Sequence, residues 1–170
     1  SKEGTYIEDT RDVYFKKNVD ITDPNYKIKA DSLIYNMGTQ LVTFTGPTFI
    51  KSNDATIVTS EGTYDLKTGD AFFGRRSLIK DSSGRTYTAN RIAIDDKTGN
   101  AQLEGSAIIK DSANGFIATG GIIFIDKQKQ TFLATRKPVM IILQDKDSTY
   151  IAADTIFSGF TIRQKPELSL

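Results

Sequence analysis

Apolar and polar residues alternate along most of the chain, the period-two signature of half-buried strands rather than the 3.6-residue period of helices. Val42 and Phe44 are a short case. Tyr26, Ile28 and Ala30 are a longer one, after which the apolar parity changes and the pattern resumes as Leu33 and Tyr35. The same slip runs from Ile57 and Thr59 to Gly62 and Tyr64, from Tyr87 and Ala89 to Ile92 and Ile94, and from Tyr150 and Ala152 to Thr155 and Phe157. A parity break recurring at one phase is what a bend makes when a strand leaves one sheet and enters the facing one with its apolar groups still inward. A fourth unit, Phe116 and Ala118 to Ile123 and Ile125, spaces the break more widely and holds Gly120-Gly121 in it, the residues a sharper bend needs.

The pattern repeats. Ile21, Ile50, Ile79 and Ile109 follow one another by 29, 29 and 30 residues, the last three each followed by Lys. Tyr35-Asn36, Tyr64-Asp65, Ile94-Asp95, Ile125-Asp126 and Phe157-Ser158 keep the same step, an apolar residue followed by a turn-former. Phe44-Thr45-Gly46, Phe72-Phe73-Gly74 and Leu103-Glu104-Gly105 close their units, with Leu133 in that place in the fourth. These landmarks divide the chain into about five repeats of roughly 30 residues, the last incomplete. Asp23-Pro24-Asn25, Thr68-Gly69-Asp70, Ser82-Ser83-Gly84, Thr98-Gly99-Asn100 and Ala113-Asn114-Gly115 supply the intervening turns. Links this short make neighbouring strands antiparallel. The expected fold is therefore all-β: two facing antiparallel sheets stacked unit on unit, roughly 12 to 16 short strands, with parity breaks at Ala30–Leu33, Thr59–Gly62, Ala89–Ile92 and Ala152–Thr155 marking sheet-to-sheet corners. End strands near Val13–Ile21 and Thr149–Phe157 should leave edges unpaired.

Composition narrows the chemistry. The chain of 170 residues is 38% hydrophobic and 25% charged, one domain's worth of foldable material. No apolar run nears the ~18 residues of a bilayer-spanning helix, so it reads as a soluble segment. Lys and Arg number 22 against 21 for Asp and Glu, and a net charge of +1 supplies no global field to steer a polyanion. His and Cys are absent, which removes the commonest acid/base at neutral pH, thiol nucleophiles, thiolate metal sites and disulfides together. Asp95-Asp96 precedes Lys97-Thr98-Gly99 and reads as a solvated turn, and Asp145 with Asp147 lacks the glycine and distal glutamate of a calcium loop. Gly120-Gly121 lacks the lysine and helix of a phosphate loop. The basic pairs Lys16-Lys17 and Arg75-Arg76 read as edge or rim charges, with a lipid-phosphate contact as the sharper alternative. No catalytic residues, metal ligands or cofactor emerge.

With Lys17-Asn18-Val19-Asp20-Ile21 leading to Ile28-Lys29-Ala30-Asp31-Ser32-Leu33-Ile34-Tyr35-Asn36 and then Phe44-Thr45-Gly46, the chain resembles the OstA/LptA organic-solvent-tolerance family of lipopolysaccharide transport over nearly its whole length. The Tyr-Asn/Asp turns and the Gly46-Pro47 junction are most similar to OstA-like proteins of the Bacteroidetes type, although the family's Gly-Asn-Val is here Lys17-Asn18-Val19. The resemblance implies an open β-jellyroll over 13–160, flanked by an N-terminal extension, 1–12, and a C-terminal tail, 161–170. It implies a non-catalytic carrier in the periplasm or cell envelope of a Gram-negative bacterium, binding the acyl chains of lipopolysaccharide or a similar lipid for delivery to the outer membrane and joining like modules end to end. The groove would be lined by Ile28, Leu33, Tyr35, Phe44, Ile57, Tyr64, Phe73, Ile92, Ile94, Leu103, Ile123, Ile125 and Leu133. Each methylene withdrawn from water there gains about 0.8 kcal/mol. The same rows fit a closed core in a structural or adhesive β-solenoid scaffold. An enzyme on such a scaffold would need a column of carboxylates and basic residues across several repeats, and none is present.

Overall fold

The computed structural model describes residues 1, 3–22, 24, 26–144 and 147–159. It is all-β, with no helix among them. In chain order the strands are β1 (Glu3–Ile7), β2 (Asp12–Thr22), β3 (Tyr26–Asn36), β4 (Leu41–Phe44), β5 (Thr48–Ser52), β6 (Ala55–Thr59), β7 (Gly62–Asp65), β8 (Ala71–Phe73) and β9 (Ser77–Asp81). They continue as β10 (Thr86–Ala89), β11 (Arg91–Ile94), β12 (Ala101–Asp111), β13 (Phe116–Asp126), β14 (Thr131–Thr135), β15 (Val139–Gln144), β16 (Asp147–Ala152) and β17 (Thr155–Gly159).

Every pairing is antiparallel, and the pairings run in two ladders. The first is β1, the Asp12–Lys16 half of β2, the Leu33–Asn36 half of β3, β4, β7, β8, β11, the start of β12, the end of β13, β14 and β17. The second is the Val19–Thr22 half of β2, the Tyr26–Ala30 half of β3, β5, β6, β9, β10, the end of β12, the start of β13, β15 and β16. Along one seam the chain passes from one ladder to the other, within β2, β3, β12 and β13 or between successive strands elsewhere, and the hairpin turns form two rims away from it.

The passages fall where apolar parity breaks. β3 exchanges β5 for β4 between Ala30 and Leu33, β6 ends at Thr59 and β7 starts at Gly62, β10 ends at Ala89 and β11 starts at Arg91, and β16 ends at Ala152 before β17 starts at Thr155. At Gly120-Gly121 a side chain has no room: a Cβ on Gly121 would stand 2.6 Å from that of Arg136. A second set of bends alternates with these. Lys17-Asn18, Arg75-Arg76, Gly105-Ser106 and Arg136-Lys137 each place two consecutive residues at positive φ. Such paired left-handed residues form a tight two-residue kink without altering the alternation rule on either side, so the hydrophobic pattern carries no sign of them. Lys17, Arg75 and Arg76 therefore stand at seam bends rather than along an edge or rim. Residues 1–12, set apart in the sequence as an extension, contain β1, paired to β2. The tail at 161–170, and Asp23 and Asn25 of the Asp23-Pro24-Asn25 turn, lie outside the described residues.

The core draws on both ladders. Leu33, Phe44, Phe73, Ile92, Leu103, Ile123 and Phe132 of the first are packed with Ile28, Ala89, Ala107, Ile109 and Ala118 of the second. Rings meet between the ladders in two places. Tyr26 contacts Tyr64 edge-on at 6.4 Å, and Phe116 stacks on Phe132 at 6.0 Å. The ladders thus face one another across a shared apolar layer.

Candidate functional site

At the first rim the turn-formers after each landmark act through their side-chain oxygens. Asn36 Oδ1 accepts from the backbone N–H of Gly38 and Thr39, Asp65 Oδ1 from Lys67 and Thr68, Asp95 Oδ1 from Thr98, and Asp126 Oδ1 from Lys129. Each bond closes a turn that the next strand needs. The inner face between rim and seam is consequently held in register unit after unit. Asp95 is part of this turn chemistry, and no group of three His, Cys, Asp or Glu residues able to hold a metal occurs among the described residues. Asp145 lies outside them.

Of the residues expected to line a groove, Ile28, Leu33, Phe44, Phe73, Ile92, Leu103 and Ile123 are buried in the core, and Tyr35, Ile57, Tyr64, Ile94 and Ile125 are half-buried against it. Leu133 differs. Ile125 pairs with Phe132 and Ile123 with Ala134, so Leu133 points to the opposite face, beside Phe124 and Phe157. The paired row that holds Phe44, Phe73 and Leu103 continues through Ile123 to Ala134. Adjacent apolar residues at Phe132-Leu133 leave the parity undecided in the sequence, and only the register decides it.

Exposure along the inner face is graded. Near the seam Leu33, Ile92, Leu103 and Ile123 are at most 1% exposed. One inward position nearer the rim, Tyr35, Ile94, Ala101 and Ile125 are only half-buried. On the second ladder Ala89 is sealed while Tyr87, two residues toward its rim, is half-buried. The gradient is interrupted at Phe132, at the rim level but covered by Phe116, at Val42, and on the second ladder at Ile28, Ile79 and Ile109, all of which are buried. Between the two aromatic crossings Ile57, Ala71, Tyr87, Ile94 and Ala101 make a slot of half-buried positions packed against the core.

A polar cluster missed by pattern reading stands on the second-ladder side of that slot. Arg85 Nε donates to Asp111 Oδ2 at 2.8 Å, Tyr87 donates its phenolic hydrogen to Asp81 Oδ2 at 2.9 Å, and Asn114 donates to Asp111 through both backbone and side chain. Burial opposes ionisation of Asp111, but the Asn114 hydrogen bonds and the Arg85 guanidinium outweigh it and hold its pKa below the ordinary carboxylate value. Burial, with Asp81 adding to it against Arg85, pushes the Tyr87 phenol up to about 12. Every buried side-chain polar atom among the described residues has a partner. The cluster is a satisfied ion-pair network with no poised acid or base. The signal is weak in the sequence: Asp81 and Asp111 end strands beside the turns Ser82-Ser83-Gly84 and Ala113-Asn114-Gly115.

A cavity of about 680 Å³ lies at the first rim, lined by the outward Ala93, Phe124, Leu133 and Phe157 and by the inward Ala71, Ile94, Ala101, Ile125 and Phe132, beside Asp70 and Asp95. A smaller one of about 400 Å³ adjoins Arg85, Asp111, Asn114 and Leu143 at the second rim. No protein-family model matches the chain, and no curated protein matches it.

Proposed function

We propose that the chain is a non-catalytic lipid carrier of the cell envelope, an open jellyroll of about five ~30-residue repeats that takes acyl chains between its two ladders. The observation that carries this reading is the rise in exposure from seam to rim along apolar positions of the first ladder's inner face, from Ile92 to Ile94, Leu103 to Ala101 and Ile123 to Ile125. A sealed floor with an accessible apolar mouth suits a flexible hydrocarbon chain, which gains about 0.8 kcal/mol for each methylene buried and needs no polar partner along its length. The absence of His and Cys and the fully paired Arg85–Asp111 cluster are in keeping with carriage rather than chemistry. Likeness of the repeat to the OstA/LptA pattern points to lipopolysaccharide or a similarly acylated lipid.

End-to-end association with like modules belongs to the same proposal. Among the described residues β1 and Val19–Thr22 of β2 at one end, and β16 and β17 at the other, have a partner on one side only. Free backbone donors and acceptors in extended strands accept a further strand.

The closed scaffold is the second reading, favoured by the complete burial of Leu33, Ile92, Leu103 and Ile123. Lipid extraction and mass spectrometry of protein made in a Gram-negative host separates them. A carrier yields a stoichiometric acylated lipid that Ile94→Asp protein lacks. A scaffold yields none from either.

A further inference from the structure

The outer face of the second ladder carries a line of lysines that the fold does not explain. Lys27 pairs directly with Lys51, Lys51 with Thr56, Thr56 with Lys80, Lys80 with Thr86, and Thr86 with Lys110. The inward neighbours Ile28, Ile79 and Ile109 are buried and Ile50 is packed against them, so alternation turns these lysines outward, and all four are exposed. None makes an ion pair with a described residue. Two strand spacings separate Lys51 from Lys80 and Lys80 from Lys110, roughly 10 Å each time. From Tyr26 to Asp111 no carboxylate occupies an outward position on the second ladder's strands, a local excess invisible in a net charge of +1.

Lysine often guards sheet edges, but β3, β5, β9 and β12 are each paired on both sides here, so edge protection does not account for it. Like charges placed directly opposite, as Lys27 and Lys51 are, destabilise a ladder. Alongside runs an apolar line: Phe49 pairs with Val58 and Val58 with Leu78, and they are 42%, 50% and 41% exposed. Both lines lie on one sheet face, two residues apart along each strand, and reach the same plane.

We propose that this face docks on an anionic phospholipid bilayer surface. The ammonium groups meet lipid phosphates, and Phe49, Val58 and Leu78 enter the headgroup boundary, with the lysine stems adding apolar cover. A nucleic acid or an acidic polypeptide would use the lysines and leave the apolar line of Phe49, Val58 and Leu78 largely without a partner, which is why the bilayer is the better fit. The inference concerns the outer face and is independent of acyl loading in the slot.

The test is co-sedimentation of the full chain with phosphatidylcholine vesicles made with and without phosphatidylglycerol, over a range of salt. Binding is expected only to the anionic vesicles, weakening as salt rises. Combining Lys51→Ser, Lys80→Ser and Lys110→Ser should weaken it about a hundredfold, roughly fivefold for each lysine. Should the triple variant misfold, Lys80→Ser alone is read against its own fivefold expectation. Val58→Ser should weaken binding while leaving its salt dependence intact. Failure of the wild type to bind, equal binding to neutral vesicles, or no loss with the lysine variants overturns the proposal, as does a wild type that ignores vesicles yet binds heparin.

Discussion

The inner face behaves differently at its two depths. At the seam Leu33, Ile92, Leu103 and Ile123 are sealed by side chains from both ladders, whereas one inward position away Tyr35, Ile94, Ala101 and Ile125 keep part of their surface in solvent. Residue type hardly changes between the two depths, since isoleucine occupies both. Geometry makes the difference. Strands crossing from one ladder to the other hold the sheets together at the seam, and toward the rims nothing but side chains fills the space between them. Stability therefore resides at the seam, and the rim side is where the proposed acyl chains would enter.

Charge placement breaks this comparison most directly. Ile92→Asp puts an unpaired carboxylate in a site with no exposure and should abolish cooperative unfolding altogether, whereas Ile94→Asp keeps its charge partly hydrated and should melt within a few degrees of wild type. Circular dichroism melts of the pair decide it, and equal loss of fold in both would erase the distinction.

Truncation sharpens it on the aromatic side. Phe132→Ala removes a fully buried ring that stacks on Phe116, with an expected cost of about 3–5 kcal/mol. Phe157→Ala, on the outer face and 69% exposed, should change stability by less than about 0.5 kcal/mol. Urea unfolding of both variants measures the contrast.

The polar cluster beside the slot gives a pH handle. The Asp111 pKa is depressed in the folded state, so its contribution is fully present above the ordinary aspartate pKa and is lost as pH falls through the lower, folded value. Asp111→Asn should cost about 1.5–3 kcal/mol at neutral pH and should leave less stability to lose in acid than wild type has. Urea titrations at neutral pH and near pH 3 check both parts. Within this cluster the smaller effect belongs to Tyr87→Phe, which removes the bond to Asp81 from a half-buried position and should cost about 1 kcal/mol.

Parity breaks at Ala30–Leu33, Thr59–Gly62, Ala89–Ile92 and Ala152–Thr155 were legible because period-two patterning records which side of a sheet faces the core, and a change of ladder rewrites it. The alternate bends at Lys17-Asn18, Arg75-Arg76, Gly105-Ser106 and Arg136-Lys137 were not, because consecutive left-handed residues turn the chain without disturbing that record, and three of the four pairs carry basic residues rather than two glycines. Breaks at two of these bends, between β8 and β9 and between β14 and β15, also raise the count above expectation, to 17 among the described residues. Leu133 was misassigned for want of register, and Asp111 was passed over because nothing local distinguishes a strand-end carboxylate in a turn from one reaching Arg85 across 26 positions of sequence.

The central claim is that acyl chains enter between the ladders from the rim side. It is tested most directly by photo-crosslinking a diazirine-bearing acyl probe to the full chain and mapping labelled peptides by mass spectrometry. Labels should fall on peptides containing Ile57, Tyr87, Ile94 and Ala101 and should vanish in folded Ile94→Asp protein. Labels confined to the outward Phe124 and Phe157, or none on a wild type that remains folded, would contradict it.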